Sequence, residues 1–398
     1  MPSASDSLAP ESREAFPRVL FLASTNSQGG IERHSVELAA ALRARGVLLS
    51  FACPPGSYLA AWCRERGIPT QPFSVRNSGD LDAAGRLARL IRSHAIGIVH
   101  AHSRRDYVVA VLGAALARRA RLILHAHMVR PLGDPPYLAG RFFAWGADAV
   151  VAVSEAVRTR LYSEHGFSPS FVRLIHNGVN LGDFAAPGSP EASAQRREAR
   201  RAWDIPDDAP VLGMIGRLDA KGQSDLLAVA PALASKHPSL RLVFIGSEGQ
   251  PGDGARLTAQ AEAAGLAGRL LFTGPREDVP VLLPGLDALV HLPRDESFGL
   301  ALAEAMAAGL PTAATAIGGC REVVRDGVTG LLVPPGDAPA LTEALGWLLD
   351  PMEGPARRAA LGEAGRRIVA ESFSRERQLD RLQALYQEIC PTPAEERT

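Results

Sequence analysis

An α/β fold of two doubly wound parallel-sheet domains is what this sequence predicts, on three observations. The 398 residues are too many for one ordinary core, because domains usually run to roughly 100–200 residues. Short apolar runs rich in β-branched residues alternate with longer helical stretches, the pattern of βα units feeding a parallel sheet. The alternation is interrupted once, over residues 185–208, where Pro, Gly and Ser meet a charge run.

In chain order, residues 1–16 are polar and Pro-bearing and read as a disordered tail, without the charged-then-apolar pattern of a secretion signal. RVLFLAS (18–24) is a strand followed by a helix from about Ile31 to Arg45, and IGIVHAH (96–102) precedes the helical VVAVLGAALARR. RLILHAH (121–127), AVVAVS (149–154) and FVRLIHNGVN (171–180) continue the series, the last ending in an Asn-Gly turn signal. The first domain is therefore expected at 17–184, with 185–208 a linker running over the surface. VLGMIGRL (211–218), LRLVFIGS (240–247), RLLFTG (269–274), ALVHLP (288–293), LPTAAT (310–315) and GLLVPP (330–335) place the second domain at 209–371. In FSRERQLDRLQALYQEI (373–389), Leu379, Leu382, Leu385 and Tyr386 recur at helical spacing, so 372–390 should be a helix packed on a domain face, with 391–398 a tail.

Composition narrows the function. Lys plus Arg equals Asp plus Glu at 43 each, so no net field recommends nucleic acid or an anionic membrane as the main partner. The longest suspicious apolar run, VVAVLGAALA at 108–117, falls short of the ~20 residues a membrane helix needs. Cys53, Cys63, Cys320 and Cys390 show no metal-ligand spacing, which suits a reduced, cytoplasmic chain. Arginines around 104–121 and the aromatics of YLAGRFFAWGA leave peripheral contact with the cytoplasmic face of a membrane open.

Open α/β sheets bind ligands outside the carboxyl ends of their strands, so the loops after strands are the candidate sites. In STNSQGGIERH (24–34), Gly29 and Gly30 allow close backbone approach before a helix, though a plain strand-to-helix turn explains them equally and GxGxxG is absent. In GRLDAKGQSDLL (216–227), Arg217 and Lys221 could neutralise a diphosphate, or be two exposed loop cations. ESFGLALAEAMAAGLP (296–311) keeps Glu296 and Glu304 in an otherwise apolar run, and an unpaired buried carboxylate costs on the order of several kcal/mol. Each therefore needs a partner, a proton or solvent. Ser297 to Leu300 should form a helix N-terminus whose free N–H groups suit a phosphate, with Glu304 about one turn beyond it. His100 with His102, and His125 with His127, lie on strand faces where they could meet a metal or hydrogen-bond sugar hydroxyls; no H-E-x-x-H or carboxylate at ligand spacing favours the metal.

These signals fall in one order along nearly the whole chain. GGIER (29–33), VVAVSEAV (150–157), HNGVN (176–180), GRLDAKG (216–222), FIGSEG (244–249), ESFGLALAEAMAAGLP and IGGCREVVRDGVTGLLVPPGD (317–337) together resemble the retaining glycosyltransferase family four, which has the GT-B fold of two Rossmann-like domains facing a cleft. The resemblance implies transfer of a hexose-type sugar from a UDP- or GDP-sugar, held by the C-terminal domain, to a glycan, lipid-linked or small-molecule hydroxyl. Synthesis of cell-surface polysaccharide, lipopolysaccharide or glycolipid is the implied setting. No metal or other cofactor is implied. Arg217 and Lys221 would bind the diphosphate, Glu304 the ribose and Glu296 the sugar hydroxyls. Backbone N–H groups of Phe298, Gly299 and Leu300 would hold sugar and phosphate oxygens, and Thr273 and Pro275 would lie near the base. Gly29 and Gly30 would approach the phosphate, and His127, or His125 two residues earlier, would sit near the transferred sugar. The C-terminal helix would return to the N-terminal domain.

Three positions depart from the family pattern: Asn180 stands where an acidic residue is usual, Arg294 precedes the glutamate loop and Cys320 follows the GG pair. None touches the roles above, and Arg294 and Cys320, close to the donor loop, bear on sugar choice. A nucleotide-sugar epimerase on the same fold, a phosphorylase-like enzyme using inorganic phosphate, and a catalytically silent glycan-assembly partner are the competing readings.

Overall fold

The computed structural model describes residues 17–27, 29–128 and 135–390, and the expected tails at 1–16 and 391–398 lie outside the described residues. Thirteen strands are present among them: β1 Val19–Leu22, β2 Leu49–Cys53, β3 Thr70–Pro72, β4 Ile98–Ala101, β5 Arg121–Ala126, β6 Ala149–Ala152, β7 Val172–Leu174, β8 Val211–Ile215, β9 Arg241–Ile245, β10 Leu270–Gly274, β11 Ala288–His291, β12 Thr312–Thr315 and β13 Gly330–Val333. They form a seven-stranded sheet in the order β3-β2-β1-β4-β5-β6-β7 and a six-stranded sheet in the order β10-β9-β8-β11-β12-β13. The second sheet is parallel throughout. This is the doubly wound α/β architecture of the GT-B class, two Rossmann-like parallel sheets.

Strands such as β1, β4, β6 and β11 are buried at every residue, which is why they read as continuous apolar runs rather than alternating ones. β2 and β3 are absent from the sequence reading; β2 lies in the apolar run VLLSFAC (47–53), whereas β3 is TQP, exposed at both ends and half-buried between, at a sheet edge and held by pairing to Phe51–Cys53. Around the second sheet, Leu226, Leu233, Leu257, Leu341 and Leu345 pack with Leu212, Phe244 and Val290 into one core.

By contacts the described chain falls into two units: one from the parts within Met1–His125, Leu138–Val150 and Leu379–Thr398, the other from Ala126–Tyr137 and Val151–Gln378. This division does not follow the expected boundary at 185–208. Within the second unit the HNGVN segment is tied to the first turn of the last helix: Gly178 N–H donates to Gln378 Oε1 at 2.9 Å, and Arg375 Nε donates to the Gly178 carbonyl at 3.0 Å. In the first unit, Leu382 and Tyr386 of the helix Arg375–Ile389 are fully buried.

Within 185–208, expected as a linker over the surface, the structure shows a helix. Ser189 caps a helix, Pro190–Ala202, by accepting from Ala192 N–H. Arg200 on it is fully buried and donates to the carbonyls of Gly285, Pro206, Asp207 and Ala209 and to Asp287 Oδ2. The charge run that reads as a solvated connection thus supplies a cation that satisfies five acceptors inside the second unit. Among the described residues no helix is long and apolar enough to cross a membrane.

Candidate functional site

In the second sheet β8 and β11 are neighbours although β9 and β10 lie between them in sequence, so the order of strand addition reverses there. Such a switch point opens a crevice at the strand carboxyl ends. The 216–222 loop is laid against the end of β11: Leu292 N–H donates to the Lys221 carbonyl at 2.8 Å. Gly222 has φ 79°, and a Cβ there would lie 2.4 Å from the Leu292 carbonyl oxygen, so only glycine fits. Gln223, fully buried, closes the loop from beneath, its Nε2 donating to the Arg217 carbonyl and its Oε1 accepting from Lys221 N–H, both at 3.1 Å.

This scaffold brings Lys221 Nζ to 2.6 Å from Glu296 Oε2. The same oxygen lies 2.8 Å from His291 Nε2, and Glu296 Oε1 accepts from Ser297 N–H at 3.1 Å. Burial opposes the charge on Glu296, but the hydrogen bond from His291 and the Lys221 ammonium outweigh it and hold the carboxyl well below the usual carboxylate range. Burial pushes the His291 imidazole down, against the pull of the Glu296 carboxylate at its Nε2.

The GG pair of IGGC supports the same loop. Gly319 N–H donates to the Glu296 carbonyl at 2.9 Å, and a Cβ on Gly318 would lie 2.3 Å from that oxygen. Cys320 behind it is fully buried, its thiol pushed up to about 12 chiefly by desolvation, which makes it a packing group rather than a nucleophile. Phe298 is buried beside Phe373, with ring centroids 5.5 Å apart. Gly299 then caps the helix Leu300–Ala307, and its carbonyl accepts from Leu302 N–H at 2.9 Å. Glu304 is half-buried one turn into this helix, and Leu300 is half-buried at its start. Arg217 is exposed beside the loop. Thr273 is half-buried and Pro275 exposed at the end of β10, where the Gly274 carbonyl accepts from Gly246 N–H at 3.0 Å.

Of the residues expected from sequence, the structure brings Lys221 and Glu296 into direct contact and sets Phe298, Gly299 and Leu300 immediately after them. His291, Gln223, Gly318 and Gly319 are site residues that the sequence reading leaves without a role. His291 carries the one signal that could have found it, a histidine at the end of a strand, the position that singled out His100 to His127.

The first unit has its own switch point, between β1 and β4. There Ser24 N–H donates to Asp106 Oδ2 at 2.6 Å and the Ser24 hydroxyl donates to Oδ1. Gly30 opens the helix Gly30–Ala44 with Gly29 as an extended N-cap, and the Glu32 carboxylate folds over Gly29, 2.5 Å from where a Cβ would be. His100 sits between two partners: its Nδ1 is 2.7 Å from Tyr386 Oη and its Nε2 is 3.1 Å from His125 Nδ1. The ligand atoms of His100, His102 and His125 lie within 4.8 Å of one another, a spacing that a metal ion could use; the contacts of His100 equally form a hydrogen-bonded chain. His125 is thus engaged within the interior of the first unit. His127, in the second unit, is 7% exposed, and burial pushes its imidazole down to about 3, so it is neutral at physiological pH.

The family described as Glycosyltransferase Family 4 matches residues 28–183, and the one described as Glycosyl transferases group 1 matches residues 195–368. The chain is 28% identical to D-inositol 3-phosphate glycosyltransferase of Mycobacterium tuberculosis, over 91% of this chain and 79% of that protein. Among solved structures, a glycosyltransferase from Rickettsia africae superposes with a TM-score of 0.85 at 22% identity, covering 94% of this chain and 99% of the other. HepE of Anabaena, solved in complex with UDP and glucose, superposes with a TM-score of 0.81 at 22% identity, covering 94% of this chain and all of the other.

Proposed function

We propose that this chain, which belongs to glycosyltransferase family four, moves a hexose-type sugar from a nucleotide-diphosphate sugar onto a hydroxyl group, with retention at the anomeric carbon and without a metal ion. The observation that carries the reading is the Lys221–Glu296 pair at the switch point of the second sheet. A cation and an ionised carboxylate 2.6 Å apart are both available to a ligand that offers a diphosphate to one and hydroxyls to the other. UDP bound to HepE, and a phosphorylated inositol in the name of the mycobacterial relative, support a nucleotide-sugar donor and a hydroxyl acceptor.

In this mechanism the bond from the anomeric carbon to the phosphate oxygen breaks as the acceptor oxygen attacks from the same face. The acceptor proton passes to the departing phosphate oxygen. Charge gathers on the diphosphate, where Lys221, Arg217 and the amides of Phe298, Gly299 and Leu300 stabilise it, while Glu296 orients the sugar hydroxyls. Glu304 accepts from the ribose, Thr273 and Pro275 border the base, and neutral His127 hydrogen-bonds the transferred sugar. Gly29 and Gly30, lacking side chains, let the backbone of the first loop approach the phosphate. UDP or GDP is the carrier, and a glycan, lipid-linked or small-molecule alcohol the acceptor, in the making of cell-surface polysaccharide, lipopolysaccharide or glycolipid on the cytoplasmic side. Leu138 and Trp145, 61% and 69% exposed on the helix Pro136–Gly146 with Arg141 between them, support peripheral membrane contact.

The deciding experiment presents UDP- and GDP-sugars with an acceptor panel and follows nucleoside diphosphate. Release that requires an acceptor supports transfer; interconversion of sugars with the nucleotide intact would make the chain an epimerase. Binding without either reaction would make it a silent assembly partner.

A further inference from the structure

Glu296 Oε2 receives two donors of different character. Lys221 is a flexible ammonium, its side chain 25% exposed, on a loop after β8. His291 is the last residue of β11, 1% exposed, and rigidly placed by the pairing of that strand with β8 and β12. Its Nδ1 is buried and has no hydrogen-bond partner among the described residues, whereas Nε2 faces the carboxylate at 2.8 Å. A neutral imidazole has one N–H, and placing it on Nδ1 would leave that donor unsatisfied and set a lone pair against a carboxylate. The tautomer protonated at Nε2 is therefore dictated by the surroundings.

We propose that His291 is the positioning residue of the donor site, whose Nε2–H keeps the Glu296 carboxylate in its orientation when Lys221 turns from it to the diphosphate of a bound nucleotide sugar. This rests on the function proposed above. Free of ligand, Lys221 and Glu296 neutralise each other; with a diphosphate present the ammonium has a more highly charged partner, and Glu296 would be left mobile if it had no second donor. His291 supplies that donor from a strand end, where its movement is small, and the Ser297 N–H fixes the other carboxylate oxygen. Among the described residues, the charged and titratable groups that act on Glu296 are Lys221, His291 and the buried Cys320 thiol.

The test compares wild type, His291→Leu and His291→Gln in the full chain, with UDP-glucose and GDP-mannose as donor probes and nucleoside diphosphate release as readout. His291→Leu keeps the volume and removes the donor; kcat is expected to fall about tenfold or more with donor KM changed less than about threefold, and the acid limb of kcat should move toward higher pH. The Nε2 of Gln reaches the place of the imidazole Nε2, so His291→Gln should recover most of kcat. His291→Leu within about twofold of wild type, or His291→Gln no better than His291→Leu in a protein that melts normally, would overturn the proposal. A second arm is independent of activity. In ¹⁵N-histidine spectra the resonance lost in His291→Gln should show a proton on Nε2 and none on Nδ1, and its shift should move in Glu296→Gln; a proton on Nδ1 sinks the idea. Wild type that consumes no nucleotide sugar would refute the proposed function, and the spectra would still judge the His291–Glu296 contact.

Discussion

Lys221 Nζ and Glu296 Oε2 lie 2.6 Å apart although 75 positions separate them in the chain. The two residues leave adjacent strands, β8 and β11, at the point where the sheet order reverses, and each is held by backbone contacts that do not involve the other. The Lys221 loop rests on Leu292 and Gln223, and the Glu296 loop on Gly318 and Gly319. Their side chains can therefore part without disturbing the fold.

Lys221→Ala should consequently leave the melting temperature near that of wild type while kcat for nucleoside diphosphate release falls by about 10²-fold or more, the usual effect of deleting one preorganised stabiliser of transition-state charge. Calorimetry alongside a diphosphate-release assay checks this. Activity retained in Lys221→Ala would remove the diphosphate assignment.

The pH dependence of stability follows from Glu296. Its carboxyl is held below its unfolded value of about 4.3, so its contribution is fully present above that pH and is lost as pH falls through the folded value. Thermal melts of wild type and Glu296→Gln should therefore differ most near pH 7 and converge below about pH 4. A gap that widens in acid would contradict an ionised Glu296.

His127 acts in the same direction by a different cause. Burial lowers its folded value to about 3, from about 6.5 when unfolded, so folding excludes a proton that the unfolded chain binds. Stability from this site is full above about pH 6.5 and declines toward pH 3, by at most about 1.4 kcal/mol per pH unit. His127→Asn should flatten that part of the melting profile, and an unchanged slope would mean that His127 titrates normally.

Arg200→Met tests the helix Pro190–Ala202. Removing the guanidinium leaves Asp287 and four carbonyls short of a buried donor, and breaking such a network typically costs about 3–5 kcal/mol. Urea unfolding should register that loss. A cost below about 1 kcal/mol would restore this segment to the status of a surface connection.

Chelation separates transfer by fixed cations from transfer by a metal. With Lys221 and Arg217 as the diphosphate partners, EDTA should leave nucleoside diphosphate release within about twofold of the untreated rate. Loss that Mg²⁺ restores would overturn the metal-free mechanism.

The sequence by itself determined the buried strands of both series, because a strand covered on both faces must be apolar throughout, and β1, β4, β8, β9, β11 and β12 stand where those runs stand. It also singled out the loops that follow β8 and β11. It was silent on β3, whose membership of the sheet depends on pairing rather than on an apolar run, whereas β2 lies in the legible run VLLSFAC; at 185–208 a charge run among Pro, Gly and Ser suggested solvent, but Arg200 is buried. Only the tertiary structure decided that Glu296 meets Lys221 and His291, that His125 is engaged by His100, and which nitrogen of His291 carries the proton. The reason is physical: apolar periodicity reports whether a residue is buried, a local property, whereas a charged or polar side chain is specified by its partner. That partner is set by which strands lie side by side, and strand order is a consequence of the folded sheet as a whole.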